Sequence, residues 1–268
     1  MTKKIDEIIE YVSVLHISQA TTATFSDLYF SKTFLFFIQN GSKVIVDNSG
    51  NEIVGNKGDI LVCAPGSFVT MKNRPHLDKN YQAIGVSFDG HLIKNVFNDS
   101  KPPPHNKLVQ LVSRKEYSNS EILSIFLNTI DISKTLPPEI LESRLSEPLL
   151  WLKQNGYIIQ LQEEKPLTKV RRLIETDLSY NWSSKCVADH FAMSEATMRR
   201  WLSKTGYSFA KILLNTRLEN SLSLLQTTEM QIIQIALECG FKSPSHFSEA
   251  FKRRFGISPR QIRQKIDD

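Results

Sequence analysis

Ile232-Ile233-Gln234-Ile235-Ala236-Leu237-Glu238-Cys239-Gly240-Phe241, followed by Ser243-Pro244-Ser245-His246-Phe247, decides the reading of this chain. A short apolar helix stops at Gly240. A serine-capped helix restarts at Ser243 and carries basic residues toward Gly256-Ile257-Ser258-Pro259. Two short helices joined by a glycine turn form the geometry that lays the second helix in a DNA major groove. The same plan occurs upstream. Ser194 matches Ser243, Met198 matches Phe247 and Leu202 matches Phe251 at one constant offset, and Gly206 and Gly256 depart from it by a single residue. Both second helices therefore bury one apolar stripe and expose the residues between.

From Leu167 onward the spacing predicts helix throughout. Val170, Leu173, Ile174 and Leu178 mark one face of a first helix, and Ser183 or Ser184 caps a second with Val187, Ala188 and Phe191 inward. Ser194 caps a third running to about Lys204, and Ser208 opens a long connecting helix through Leu225. Helices over 232–239 and 243–255 and a last one from Pro259 complete the region.

The first hundred residues read differently. Ile5, Ile8, Ile9 and Val12 suggest a short opening helix. Strand-like runs follow at 27–30, 34–38, 44–46, 60–63 and 83–88, separated by Asn40-Gly41, Asn48-Ser49-Gly50 and Gly58-Asp59. Short strands at this spacing predict a small β-barrel or sandwich. Lys101-Pro102-Pro103-Pro104-His105 breaks the pattern, and two helices over about 119–132 and 138–154 follow with the helical apolar period. Gln162-Glu163-Glu164-Lys165-Pro166 reads as a linker. The expected fold class is α+β, with a barrel at 1–100, a helical region at 101–161, a linker at 162–166 and an all-α domain at 167–268.

Charge follows the same division. Residues 166–268 hold 16 Lys and Arg against 10 Asp and Glu, whereas the other 165 residues hold 17 against 18. The basic excess thus lies beside the helix-turn-helix signals, as a polyanion-binding surface requires. Cys63, Cys186 and Cys239 form neither a disulfide framework nor a zinc pattern, which predicts a reducing, cytoplasmic setting. His16, His76, His91 and His105 lie too far apart for a metal-ligand set, and no nucleophile motif or phosphate-cradling loop occurs. The expectation is a protein that is no enzyme, holds no metal or cofactor and does not bind membranes.

The residues from Leu167 to Lys265 resemble the AraC/XylS family of bacterial transcription regulators. The second unit carries the likeness: Ile235-Ala236, Gly240-Phe241, Ser243, Ser245, Phe247, Phe251-Lys252 and Phe255-Gly256 with Ser258-Pro259. Gln261-Ile262-Arg263 departs from it, since the family usually places an aromatic before that arginine. The resemblance implies two helix-turn-helix subdomains joined by a long helix, with both recognition helices in neighbouring major grooves. It also implies a companion N-terminal domain, cupin-like and followed by dimerisation helices, for which Gly58-Asp59-Ile60-Leu61-Val62 and the element order speak. Length and layout are similar to the enteric virulence and acid-stress regulators, some of which bind fatty acids between barrel and DNA-binding domain.

Carried onto this chain, the family's base readers are Ala196, Arg199 and Arg200 in the first unit and Ser245, Ser248 and Glu249 in the second. An arginine can donate two parallel bonds to guanine, worth about 1–3 kcal/mol of discrimination. Lys204, Lys252, Arg253 and Arg254 are the expected phosphate contacts. Trp182 and Trp201 are expected to pack within the subdomains. An aromatic cluster of Phe25, Tyr29, Phe34, Phe36 and Phe37 is either barrel core or the lining of an effector pocket, with Lys32, Arg74 or His76 meeting an acidic head group. The implied partners are promoter DNA, RNA polymerase, a second copy, and either a small effector or a regulatory protein. The rival expectation is an architectural DNA-binding protein without effector control.

Overall fold

The computed structural model describes residues 8–9, 11–47, 49–76, 79–98, 108–114, 119–159 and 165–263. The chain divides into two compact units at residues 162/163. In the first, the strands are β1 (Ile8–Ile9), β2 (Val12–Gln19), β3 (Ala23–Phe30), β4 (Thr33–Asn40), β5 (Ser42–Asp47), β6 (Glu52–Asn56), β7 (Ile60–Cys63), β8 (Ser67–Arg74), β9 (Tyr81–Phe88) and β10 (Val109–Val112). Helices α1 (Gly90–Phe97), α2 (Asn119–Asp131) and α3 (Pro138–Gln154) accompany them.

The strands form two antiparallel sheets, one ordered β1-β2-β9-β4-β7-β10 and the other β3-β8-β5-β6. Among the described residues no strand pairing closes the two into one barrel, so the cupin-like layout is an open two-sheet sandwich. One expectation is corrected. Ile8, Ile9 and Val12 lie in strands rather than an opening helix, because Val12 and Val14 feed one buried face at alternating positions. Ile5 and the segment 101–105 lie outside the described residues.

The central strands of the six-stranded sheet are buried on both faces. One face, with Leu35, Phe37, Ile60, Val62, Val86 and Phe88, packs on α1, α2 and α3 through Ile93, Phe126, Ile130, Leu145 and Leu149. The other meets the four-stranded sheet: Gly55 of β6 sits so close to Ile38 and Leu61 that an added Cβ would lie 2.7 and 2.9 Å from their side chains. Double burial explains why β4 reads as an unbroken apolar run, Phe34-Leu35-Phe36-Phe37-Ile38. It also joins what the sequence separated at residue 100. β10 pairs with β7, and the apolar stripes of α2 and α3 cover their own sheet. What those helices leave exposed is Ile125, Ile140, Leu150 and Trp151, with Ile132 exposed just beyond α2.

The second unit is all helix: α4 (Pro166–Glu175), α5 (Ser184–His190), α6 (Glu195–Ser203), α7 (Phe209–Thr227), α8 (Ile232–Glu238), α9 (Pro244–Phe255) and α10 (Pro259–Arg263). Leu178 falls beyond the end of α4. The expected departure at Gln261-Ile262-Arg263 is accommodated locally. Ile262 is buried, and the Arg263 guanidinium donates to the carbonyls of Leu224, Leu225, Thr228 and Met230, closing the C-terminal end of α7. Among the described residues no helix is long and apolar enough to cross a membrane.

Candidate nucleic-acid interface

Each recognition helix begins where a serine hydroxyl accepts from the backbone N–H three residues on. Ser194 accepts from Thr197 at 3.2 Å and Ser243 from His246 at 3.2 Å. The caps fix where each helix starts, and therefore which side chains face out. Met198 and Leu202 are buried under α6, as are Phe247, Phe251 and Phe255 under α9. Trp201 packs on Phe191, ring centroids 5.4 Å apart, while Trp182 donates to the Asp177 carbonyl.

The turns before these helices require a left-handed residue. In the second unit this is Gly240 at φ 76°, after which the Phe241 N–H bonds to the Ala236 carbonyl. The first unit makes the same bond, Met193 to Ala188, with Ala192 at φ 52° in the glycine position. The two turns differ in surroundings. A Cβ on Gly240 would lie 2.3 Å from the Leu178 carbonyl oxygen and 2.6 Å from the Arg217 guanidinium. Arg217 itself donates to the carbonyls of Leu178 and Tyr180, tying α7 to the loop before α5.

The expected readers all lie on the outer surface. Ala196, Arg199 and Arg200 are exposed on α6, with Lys204 exposed just beyond it. Ser245 and Glu249 are exposed and Ser248 is half-buried on α9, where Lys252 and Arg253 are also exposed. Arg254 departs from the expectation of a backbone contact. Its Nη2 turns to Glu219 of α7 at 3.5 Å and its guanidinium lies 5.2 Å from the centre of the Phe255 ring, leaving the side chain 14% exposed. A carboxylate on the packed side of the helix draws it away from solvent.

In the first unit the residues expected to meet an effector head group do not converge. Lys32, Arg74 and His76 are all exposed. Lys32 follows Phe30, which pairs with Ser67 at one end of β8, whereas Arg74 ends that strand. A strand of that length separates them by on the order of 20 Å. The aromatic cluster divides as well. Phe34, Phe36 and Phe30 contact one another, Tyr29 pairs with Phe68, Phe25 is fully buried, and Phe37 belongs to the helix-covered face.

The cation that does face this cluster is Lys43, which is 1% exposed. Its Nζ lies 4.1 Å from the Phe36 ring centre and 5.3 Å from that of Tyr81, and donates to Asn73 Oδ1 at 2.6 Å. Asn73 donates in turn to Gln19 at 2.9 Å, and Gln19 to the Thr21 carbonyl. Among the described residues no carboxylate pairs with Lys43, and the buried Tyr81 hydroxyl has no hydrogen-bond partner. Burial pushes the Lys43 amine down to about 7 and the neighbouring Cys63 thiol up to about 12. Sequence reading passed over Lys43 and Glu219. The available signal for Lys43 was its place two residues before Ile45 on a strand, where the period of two puts both on one face.

Residues 187–265 match the family described as a helix-turn-helix domain. The transcriptional activator AggR of Escherichia coli is 41% identical over 94 residues, 35% of this chain and 36% of AggR. The activator CfaD of Escherichia coli is 29% identical over 165 residues, 56% of this chain and 62% of CfaD. The chain thus spans less than two thirds of the length of either relative. The TCP pilus virulence regulatory protein of Vibrio cholerae is 22% identical across 92% of both chains. Among solved structures, ToxT of Vibrio cholerae with a bound unsaturated fatty acid covers 95% of both chains with TM-score 0.64 and 18% identity. ToxT bound to (E)-4-(8-methylnaphthalen-1-yl)but-3-enoic acid has TM-score 0.64 and 21% identity over 92% of this chain and 96% of that one. The chain has the fold of ToxT, and AggR and CfaD are named as transcriptional activators.

Proposed function

We propose, from a C-terminal domain that matches a helix-turn-helix family and resembles the AraC/XylS regulators, that this chain is a cytoplasmic, sequence-specific regulator of transcription, acting as an activator on promoter DNA. One observation carries the reading: two serine-capped helices, each with a buried apolar spine, present Arg199 and Arg200 on one and Ser245, Ser248 and Glu249 on the other. α6 and α9 occupy two adjacent major-groove segments, with Arg199 and Arg200 reading guanine and Lys204, Lys252 and Arg253 holding phosphates. Glu249 suits a cytosine amino group and repels phosphate, so the second unit contributes less base choice than the first.

The N-terminal unit, residues 1–162, is the control module, and a small acidic molecule of the fatty-acid kind is its effector. Two supports bear on this: ToxT, of the same fold, has been solved with such acids, and Lys43 is a buried amine without a carboxylate beside the Phe36 ring. A regulatory protein acting on this unit is the other form of control. The residues left exposed on α2 and α3 are the surface for a second copy, and RNA polymerase is the partner for activation. An architectural role without effector control is the rival.

Selection of binding sites from a random-sequence DNA pool tests the central reading. A regulator recovers a motif bound at least ~10³-fold more tightly than random DNA at physiological salt. Equal binding to all sequences leaves the architectural role. Native mass spectrometry of the full chain with palmitoleate then tests effector control, with a saturable adduct lost in Lys43→Met as the expected result.

A further inference from the structure

We propose that Glu219 is a positioning residue that sets the distance and roll between the two recognition helices, and with them the spacing of the two DNA segments the protein accepts. The proposal rests on the DNA-binding reading above and deepens it. Glu219 lies within the long connecting helix α7. Its two carboxylate oxygens are divided between elements of different origin. Oε2 takes Arg171 Nη2 of α4 at 2.5 Å, and Oε1 takes Arg254 Nη2 of α9 at 3.5 Å. All three side chains are nearly buried, at 5%, 10% and 14% exposure for Arg171, Glu219 and Arg254.

The geometry matters because of what each arginine belongs to. α4 packs on α7 and also on α6, the recognition helix of the first unit. Arg254 sits on the recognition helix of the second unit, on the turn after Glu249 and one residue beyond Arg253. One carboxylate on the shared helix therefore holds the support of one reader and the body of the other. A guanidinium keeps its charge in proteins and offers its donors in a fixed fork, so it sets orientation more tightly than an apolar contact does. Non-directional packing of Phe247, Phe251 and Phe255 holds α9 on the domain and leaves its roll less defined. The ion network supplies that direction.

A two-box site is read in register only when both helices reach the groove at once. Fixing their separation turns spacing into a term of specificity that no base contact supplies. The test is site selection from a random-sequence pool with the full-length chain, wild type beside Glu219→Gln, together with circular dichroism of each. Wild type is expected to recover two boxes at one spacing. Glu219→Gln is expected to recover the same two boxes at several spacings, and to lose most of a roughly tenfold penalty that the wild type shows for a one-base-pair insertion between them. Should Glu219→Gln fail to fold, Arg254→Gln removes the longer, more exposed arm and carries the same expectation. A single unchanged spacing in a folded variant overturns the proposal, as does loss of both boxes from a folded variant, which would make Glu219 a staple of the domain and nothing more. No motif with the wild type defeats the DNA-binding reading itself, and the proposal with it.

Discussion

In the second helix-turn-helix unit the turn residue is Gly240, wedged against the Leu178 carbonyl and the Arg217 guanidinium; in the first it is Ala192, an L-residue held at positive φ. The outer surfaces differ in the opposite sense. The first unit presents Arg199 and Arg200, side chains able to discriminate bases, and the second presents two serines and a glutamate with Lys252 and Arg253 behind them. One copy of the plan is thus packed to close tolerance and presents short polar and acidic side chains; the other accepts backbone strain and presents the two arginines. A repeated motif need not divide close packing and surface charge equally between its copies.

Breaking the tighter turn should have the largest effect. Gly240→Ala meets backbone at 2.3 Å and forces Arg217 off its two carbonyls, so thermal unfolding of the second unit should show a loss of about 3 kcal/mol. An unchanged melting curve would mean the two turns are equivalent after all. Next comes the division of reading. Arg200→Ala should cut the preference for the selected site over random DNA by about 2 kcal/mol, whereas Lys252→Ala should weaken binding to both about equally and flatten the salt dependence. Equal losses on specific and random DNA in Arg200→Ala would dissolve the contrast between the units.

Relieving the looser turn should be smaller and of opposite sign. Ala192→Gly removes the left-handed penalty but adds freedom to the unfolded chain, for a net gain of about 0.5 kcal/mol by chemical denaturation. A destabilised variant would show that Ala192 is held by packing. The smallest effect on DNA reading belongs to Lys43→Met, which should leave both selected boxes intact and act on its own unit alone. With the folded amine lowered to about 7 from 10.5, the unfolded chain binds more protons between those values. Stability of the wild-type sandwich should therefore climb as pH rises from 7 toward 10, and the full cost of burying the ammonium should stand below pH 7. Denaturation across that range should find the slope gone in Lys43→Met; a slope that survives would assign the pH dependence to other groups.

Much of the helical domain was legible because its signals are local. Ser194, Ser208 and Ser243 all cap the helices they announce, and the buried Met198, Leu202, Phe247 and Phe251 follow from helical period alone. The sandwich was less legible. β2 and β8 carry His16, Thr70 and Lys72 at alternate positions and lack the continuous apolar runs of β4 and β7, so neither was read as a strand. The pairing of β10 was hidden for a related reason: nothing local in Val109-Gln110-Leu111-Val112 says that its partner is β7.

Sequence by itself determined two capped recognition helices, their exposed residues and the uneven distribution of basic charge, since caps, periods and turn glycines act within a few residues of where they are written. Tertiary structure alone decided that Lys43 is buried beside Phe36, that Lys32 and Arg74 stand at opposite ends of a sheet, and that Arg254 turns to Glu219 instead of outward. A period assigns a side chain to a face; only the assembled neighbours determine whether that face is wet, and a charge takes its role from what surrounds it.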